Sequence, residues 1–81
     1  MRAVYTPNII GQLAAAPLPI QRALEKQVRF LLRDLRHPSL RAKKYDEANN
    51  IWQARVTDAW RFYFRIEADT YQLLSIRPHP K

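Results

Sequence analysis

The sequence of 81 residues contains no cysteine, and its only glycine is Gly11. The first absence excludes a disulfide framework and a thiolate zinc site. The second excludes a glycine-rich phosphate loop, and with it the usual cradle for nucleotide-driven chemistry. The two histidines, His37 and His79, lie far apart in the chain, and Asp46, Glu47 and Asp58 are scattered among turns, so no metal-ligand spacing is present. Long apolar runs are missing too. The stretch from Ile9 to Ile20 is broken by Pro17 and Pro19 and is too short to cross a bilayer, and nothing resembles a secretory signal. These absences fit a soluble cytoplasmic protein with no membrane contact, no metal and no small-molecule cofactor.

Acidic charge is scarce: seven Asp and Glu face fourteen Lys and Arg, for a net charge of +7. A field of that sign on so small a protein attracts polyanions, because their condensed counterions are released on binding. Hydrophobic residues make up 47% of the chain and charged ones 26%, which is a folding composition rather than a disordered one. The length allows one modest core, so residues 1–81 are read as a single domain.

Residues Arg2 to Tyr5 alternate as a short strand. Thr6-Pro7 suits a helix start, with threonine at the N-cap and proline where its missing N–H costs nothing, and Pro17 and Pro19 end that helix. Ile20, Leu24, Val28, Leu31 and Leu35 then recur at helical spacing, predicting an amphipathic helix of about 17 residues. Its other face carries Arg22, Lys26, Arg29, Arg33 and Arg36, a basic stripe that is either a solvated face or a surface for an acidic partner. His37-Pro38-Ser39 ends the helix. A basic segment, Arg41-Ala42-Lys43-Lys44-Tyr45, leads into a strand.

From there the period falls to two. Trp52, Ala54 and Val56 alternate with Gln53 and Arg55, and Trp60, Phe62, Phe64 and Ile66 alternate with Arg61, Tyr63 and Arg65. A last strand covers Thr70 to Ile76. The expected fold is α+β, with two N-terminal helices on one face of a twisted antiparallel sheet in the order β-α-α-β-β-β-β. A three-residue turn at 57–59 would set Val56 opposite Trp60, Ala54 opposite Phe62 and Tyr63 opposite Gln53. Arg55 would then face Arg61 on the side away from the helices. Like charges so opposed are destabilising unless something sits between them. Two guanidiniums at that spacing suit a phosphate, which each can grip bidentately, and Tyr63 and Tyr71 could stack a base beside it.

Taken in order, these residues resemble the RelE/ParE superfamily of bacterial toxin–antitoxin toxins. The likeness rests on the helical pair, the Lys-rich strand, Ile51-Trp52-Gln53-Ala54-Arg55-Val56, the short turn, Trp60-Arg61-Phe62-Tyr63-Phe64 and the ending Ser75-Ile76-Arg77-Pro78-His79. It spans essentially the whole chain and favours the RelE/HigB-like branch. The resemblance implies a basic, concave sheet face and a cognate antitoxin as partner. It also implies one of two activities: cleavage of messenger RNA, on the ribosome or free, or poisoning of DNA gyrase. A third reading is a non-catalytic relative that still binds an antitoxin. By this likeness Arg61 holds the scissile phosphate, Arg55 stands where relatives carry another basic group, and His79 lies near an arginine or histidine of cleaving members. Lys43 and Lys44 contact the RNA backbone, and Arg41, Tyr63, Arg65 and Arg77 complete the RNA-binding set. Three departures stand out. Gln53 replaces a charged group, Arg77-Pro78 replaces a glycine-containing approach to the histidine, and no tyrosine follows His79.

Metal-free RNA cleavage turns the ribose 2′-OH on its own 3′ phosphate. Arginines stabilise the charge that develops but are poor proton carriers. The proton work therefore falls to His79, while His37 suits a helix C-terminus.

Overall fold

The computed structural model describes residues 1–80. Its elements are β1 (Arg2–Tyr5), α1 (Pro7–Ala15), α2 (Leu18–Arg33), β2 (Lys43–Asp46), β3 (Ile51–Thr57), β4 (Trp60–Glu67) and β5 (Thr70–Pro78). The five strands form one sheet in the order β1-β5-β4-β3-β2. The meander from β2 to β5 is antiparallel, as the period-two alternation predicts. β1 pairs parallel with β5, so the sheet is mixed. The parallel pair follows from connectivity: the chain leaves β1 through two helices and enters the sheet again at its far edge.

Both helices pack on the sheet face that carries the even-numbered apolar residues of β3 and β4. Ile9, Leu24, Val28 and Leu31 from the helices meet Ala54, Val56, Phe62, Phe64, Leu73 and Ile76 from the sheet, with Leu40 beneath the loop. Phe62 and Phe64 are fully buried; each contributes roughly 1.5–3 kcal/mol by leaving water.

Local chemistry explains the joints. Thr6 occupies the α1 N-cap with extended backbone, but its hydroxyl donates to the Leu73 carbonyl at 2.7 Å instead of capping the helix. Asn8 Nδ2 donates to the Leu74 carbonyl at 2.9 Å, and the Ile76 N–H donates to Gln12 Oε1 at 2.7 Å. These bonds use a β-bulge opposite Tyr63 and Phe64, where Ser75 and Leu73 pair with the two residues and Leu74 is extra.

α2 starts earlier and stops earlier than its periodicity suggests. Pro19 sits inside the first turn, where a missing N–H is tolerated. The helix ends at Arg33, leaving Leu35 and Arg36 outside it, because Asp34 is extended and its Oδ1 accepts the Arg36 N–H at 2.9 Å.

The β3–β4 register corrects one expectation. Ala54 faces Phe62, Arg55 faces Arg61 and Gln53 faces Tyr63 as expected, but Trp60 pairs with Thr57 and not with Val56. The connection is the two-residue turn Asp58-Ala59, and a bulge between Arg55 and Thr57 absorbs the extra residue. On the other side of β3, past the end of its pairing with β2, the Arg55 N–H donates to the Leu40 carbonyl at 2.7 Å.

β5 also runs past Ile76 to Pro78, opposite Trp60. The His79 N–H donates to the Ala59 carbonyl at 2.7 Å. Successive N–H groups alternate sides, so the missing donor of Pro78 faces the side where β1 has already ended. No helix among the described residues is long and apolar enough to cross a membrane.

Candidate anion-binding and active site

The sheet face away from the helices carries Gln53 and Arg55 of β3, Arg61, Tyr63 and Arg65 of β4 and, beyond the bulge at Leu74, Ser75 and Arg77 of β5. Register aligns Gln53, Tyr63 and Ser75 in one row and Arg55, Arg61 and Arg77 in the next. Three arginines thus stand side by side across three strands, where the alternation alone shows two.

Their side chains have different roles. Arg61 Nη1 donates to the carbonyls of Thr57 (2.6 Å), Trp60 (3.0 Å) and Asp58 (3.3 Å), which fixes the guanidinium against the hairpin turn. The ion pairs among the described residues are Arg29–Glu25, Lys44–Glu47 and Arg55–Asp58, so Arg61 keeps its charge free of any carboxylate there. Arg55 is neutralised by Asp58, three residues along the chain. It lines a separate cavity of about 530 Å³ against α2, together with Lys26, Phe30 and His37. The opposed pair expected from the alternation is therefore present in register, but Arg55 does not line the cleft that holds Arg61.

The cleft that holds Arg61 measures about 210 Å³ and is lined by Arg41, Lys43, Gln53, Ala54 and His79. His79 reaches it because its backbone is tied to Ala59 in the turn before β4. Lys43 reaches it from the edge strand, opposite Gln53. Arg41 enters from the loop before β2, with a positive φ of 46°. Arg61, His79, Lys43 and Arg41 are brought together; Arg55 is not.

The remaining predicted residues divide. Arg77 stands opposite Arg61, with its guanidinium 4.3 Å from the centre of the Tyr63 ring, a cation–π contact that orients it. Tyr63 is on the expected face but only 7% exposed, and Gln53 Nε2 donates to its hydroxyl at 3.0 Å. Arg65 lies further along β4, where its Nε donates to the Asn49 carbonyl at 3.2 Å. Lys44 points to the other side of the edge strand. Its Nζ lies 5.3 Å from the centre of the Trp52 ring, and Trp52 stacks on Phe64. Tyr71 packs edge-on against Phe64 in the core, so no base can stack on it. Burial, and secondarily the charge of Asp34, raises the pKa of the Tyr71 phenol.

Sequence reasoning missed Tyr45 as a member of this face. It sits at the bulge between Lys44 and Asp46, and its ring meets Tyr63 edge-on at 4.9 Å. The signal was the period-two spacing of Lys43 and Tyr45, which puts them on one side of a strand.

The arrangement supplies a fixed, uncompensated guanidinium, two further cations and an imidazole around one small concavity. Such a site can hold a phosphate and exchange a proton beside it. Among the described residues no cluster of three His, Asp or Glu side chains could bind a metal.

Compared with solved structures, the chain matches a YoeB/ParE toxin from Agrobacterium tumefaciens with a TM-score of 0.80, over 99% of this chain and 100% of that one, at 15% sequence identity. The chain has the RelE/YoeB toxin fold. The YoeB dimer from Staphylococcus aureus gives 0.80 over 99% and 98% of the two chains at 8% identity. The archaeal RelE–RelB complex from Pyrococcus horikoshii OT3 gives 0.78 over 95% and 92% at 15% identity. No protein-family model and no curated protein sequence matches the chain. At such identities the likeness is one of fold, and the residues on the RelE/YoeB frame must carry any argument about chemistry.

Proposed function

We propose that this protein is the toxin of a toxin–antitoxin pair and inhibits translation by metal-independent endonucleolytic cleavage of mRNA, free or on the ribosome. The observation that carries the reading is the pairing of Arg61, free of any carboxylate among the described residues, with His79 in one cleft. Arg61 grips the scissile phosphate and stabilises the charge that builds on it. His79 handles a proton. Lys43 and Arg41 hold the flanking backbone, and Arg77 extends the cationic row. Several neighbours of this fold were solved bound to antitoxins, RelE with RelB and YoeB with YefM; a cognate antitoxin is the partner proposed here. A gyrase poison would need no imidazole beside the anion site, so the presence of His79 favours the nuclease.

The test is to induce the chain in a bacterium and map new 5′ ends on abundant transcripts. Wild type should create them at once. Arg61→Ala should reduce their rate of appearance about 10²–10³-fold. Arg61 also braces the hairpin, so Arg61→Lys, which keeps the charge but loses the fork, is the companion variant, and thermal unfolding shows whether each is folded. Growth arrest without new ends would refute cleavage and point to gyrase.

A further inference from the structure

Tyr63, the aromatic residue that the alternation puts at the centre of the open face, is not available to a ligand. Arg77 covers its ring at 4.3 Å, Tyr45 abuts it edge-on, and 7% of its surface remains exposed. Tyr45 itself is 55% exposed. Its ring is inclined 65° to that of Tyr63, so the contact immobilises one edge of the Tyr45 ring and leaves its surface largely open. Two neighbours give that platform a direction. Lys43, two residues back on the same face of β2, lines the Arg61–His79 cleft. Tyr63, which Tyr45 touches, is two residues along β4 from Arg61 on that same face.

We infer that Tyr45 is the stacking platform for a nucleotide base next to the phosphate held by Arg61, and that it helps set which position of a single-stranded RNA is seated in the cleft. This inference rests on the nuclease reading above. Stacking accepts any base, because each has a π-face, whereas Lys43 and Arg61 read only backbone charge. An immobilised ring loses little freedom when a base lands on it. The bulge at Tyr45 fits this role, since bulges re-aim side chains beside functional sites.

The experiment is a cycle between residue and base. The probes are a short single-stranded RNA carrying a 2′-deoxy sugar at the mapped cleavage position, so that it binds without reacting, and versions of it with one base removed at each position in turn. Tyr45→Ala should weaken binding of the intact RNA roughly tenfold or more, while Tyr45→Phe and Tyr45→Trp stay close to wild type. Removing one particular base beside the cleavage position should cost wild type the same factor and cost Tyr45→Ala almost nothing. The slope of affinity with salt should be unchanged in Tyr45→Ala and should shrink by about one in Lys43→Ala. Binding by Tyr45→Ala within twofold of wild type, or an equal loss on every abasic RNA, overturns the inference while cleavage by wild type keeps the nuclease reading. If wild type neither binds nor cleaves RNA, both fall.

Discussion

Gln27 shows how much one residue can fix. It is buried on α2, where the apolar stripe calls for a hydrophobic side chain. Its Nε2 donates to the carbonyls of Ser39 (3.0 Å) and Arg55 (2.8 Å), and its Oε1 accepts the Ser39 hydroxyl at 3.0 Å. The Arg55 carbonyl belongs to the bulge of β3, so Gln27 joins the helix, the loop after it and the strand that leads to the site. Gln27→Ala leaves those buried partners without a bond and should lower stability by about 1–3 kcal/mol. A urea titration would register this as a lower midpoint at unchanged slope; an unaltered midpoint would mean that water replaces the amide at no cost. The spacing of the sequence puts Gln27 beside the apolar stripe, but nothing in a single sequence shows that two carbonyls await it. Tyr45 differs, because the period-two spacing from Lys43 already put it on that face of the strand.

At the scale of elements, the β3–β4 hairpin decides which arginine can act. The alternation of Trp52 to Val56 and of Trp60 to Ile66 was enough to read both strands, the core face and the Arg55–Arg61 register, since a strand half-buried on one side exposes its period directly. It could not show the bulge, because a turn of two residues with a bulge and a turn of three preserve the same parity further along the strands. Asp58 in the turn neutralises Arg55. Arg55→Ala should accordingly reduce RNA cleavage far less than Arg61→Ala does. Asp58→Asn, which releases Arg55, should tighten RNA binding and steepen its salt dependence by up to about one ion. Equal losses in Arg55→Ala and Arg61→Ala would show that the ion pair opens when RNA arrives. The ending of α2 was legible in kind, from Pro38, but not in place, since the Asx-type bond from Asp34 to the Arg36 N–H stops the helix before proline has to.

For the molecule as a whole, two phenols link the fold to pH. Burial, with a smaller contribution from the charge of Glu25, raises the pKa of Tyr5 above its ordinary 10.0, and burial with a smaller contribution from Asp34 does the same for Tyr71. A pKa raised by folding means that the folded chain holds its proton more tightly than the unfolded one. The stabilising contribution of each group is therefore complete below pH 10.0 and is lost as pH rises through the folded value. Tyr71 packs on Phe64 in the core and Tyr5 packs against that core, so each ring desolvates the phenolate that would form on it. Lysines lose charge in the same range, which relieves the self-repulsion of a chain at +7 and acts in the opposite direction. The Tyr5→Phe/Tyr71→Phe double variant separates the two effects, because it keeps both rings and every lysine. Urea midpoints measured from about pH 8 to about pH 11 should fall for wild type and fall distinctly less for the double variant. Parallel curves would show that neither phenol contributes to the alkaline change.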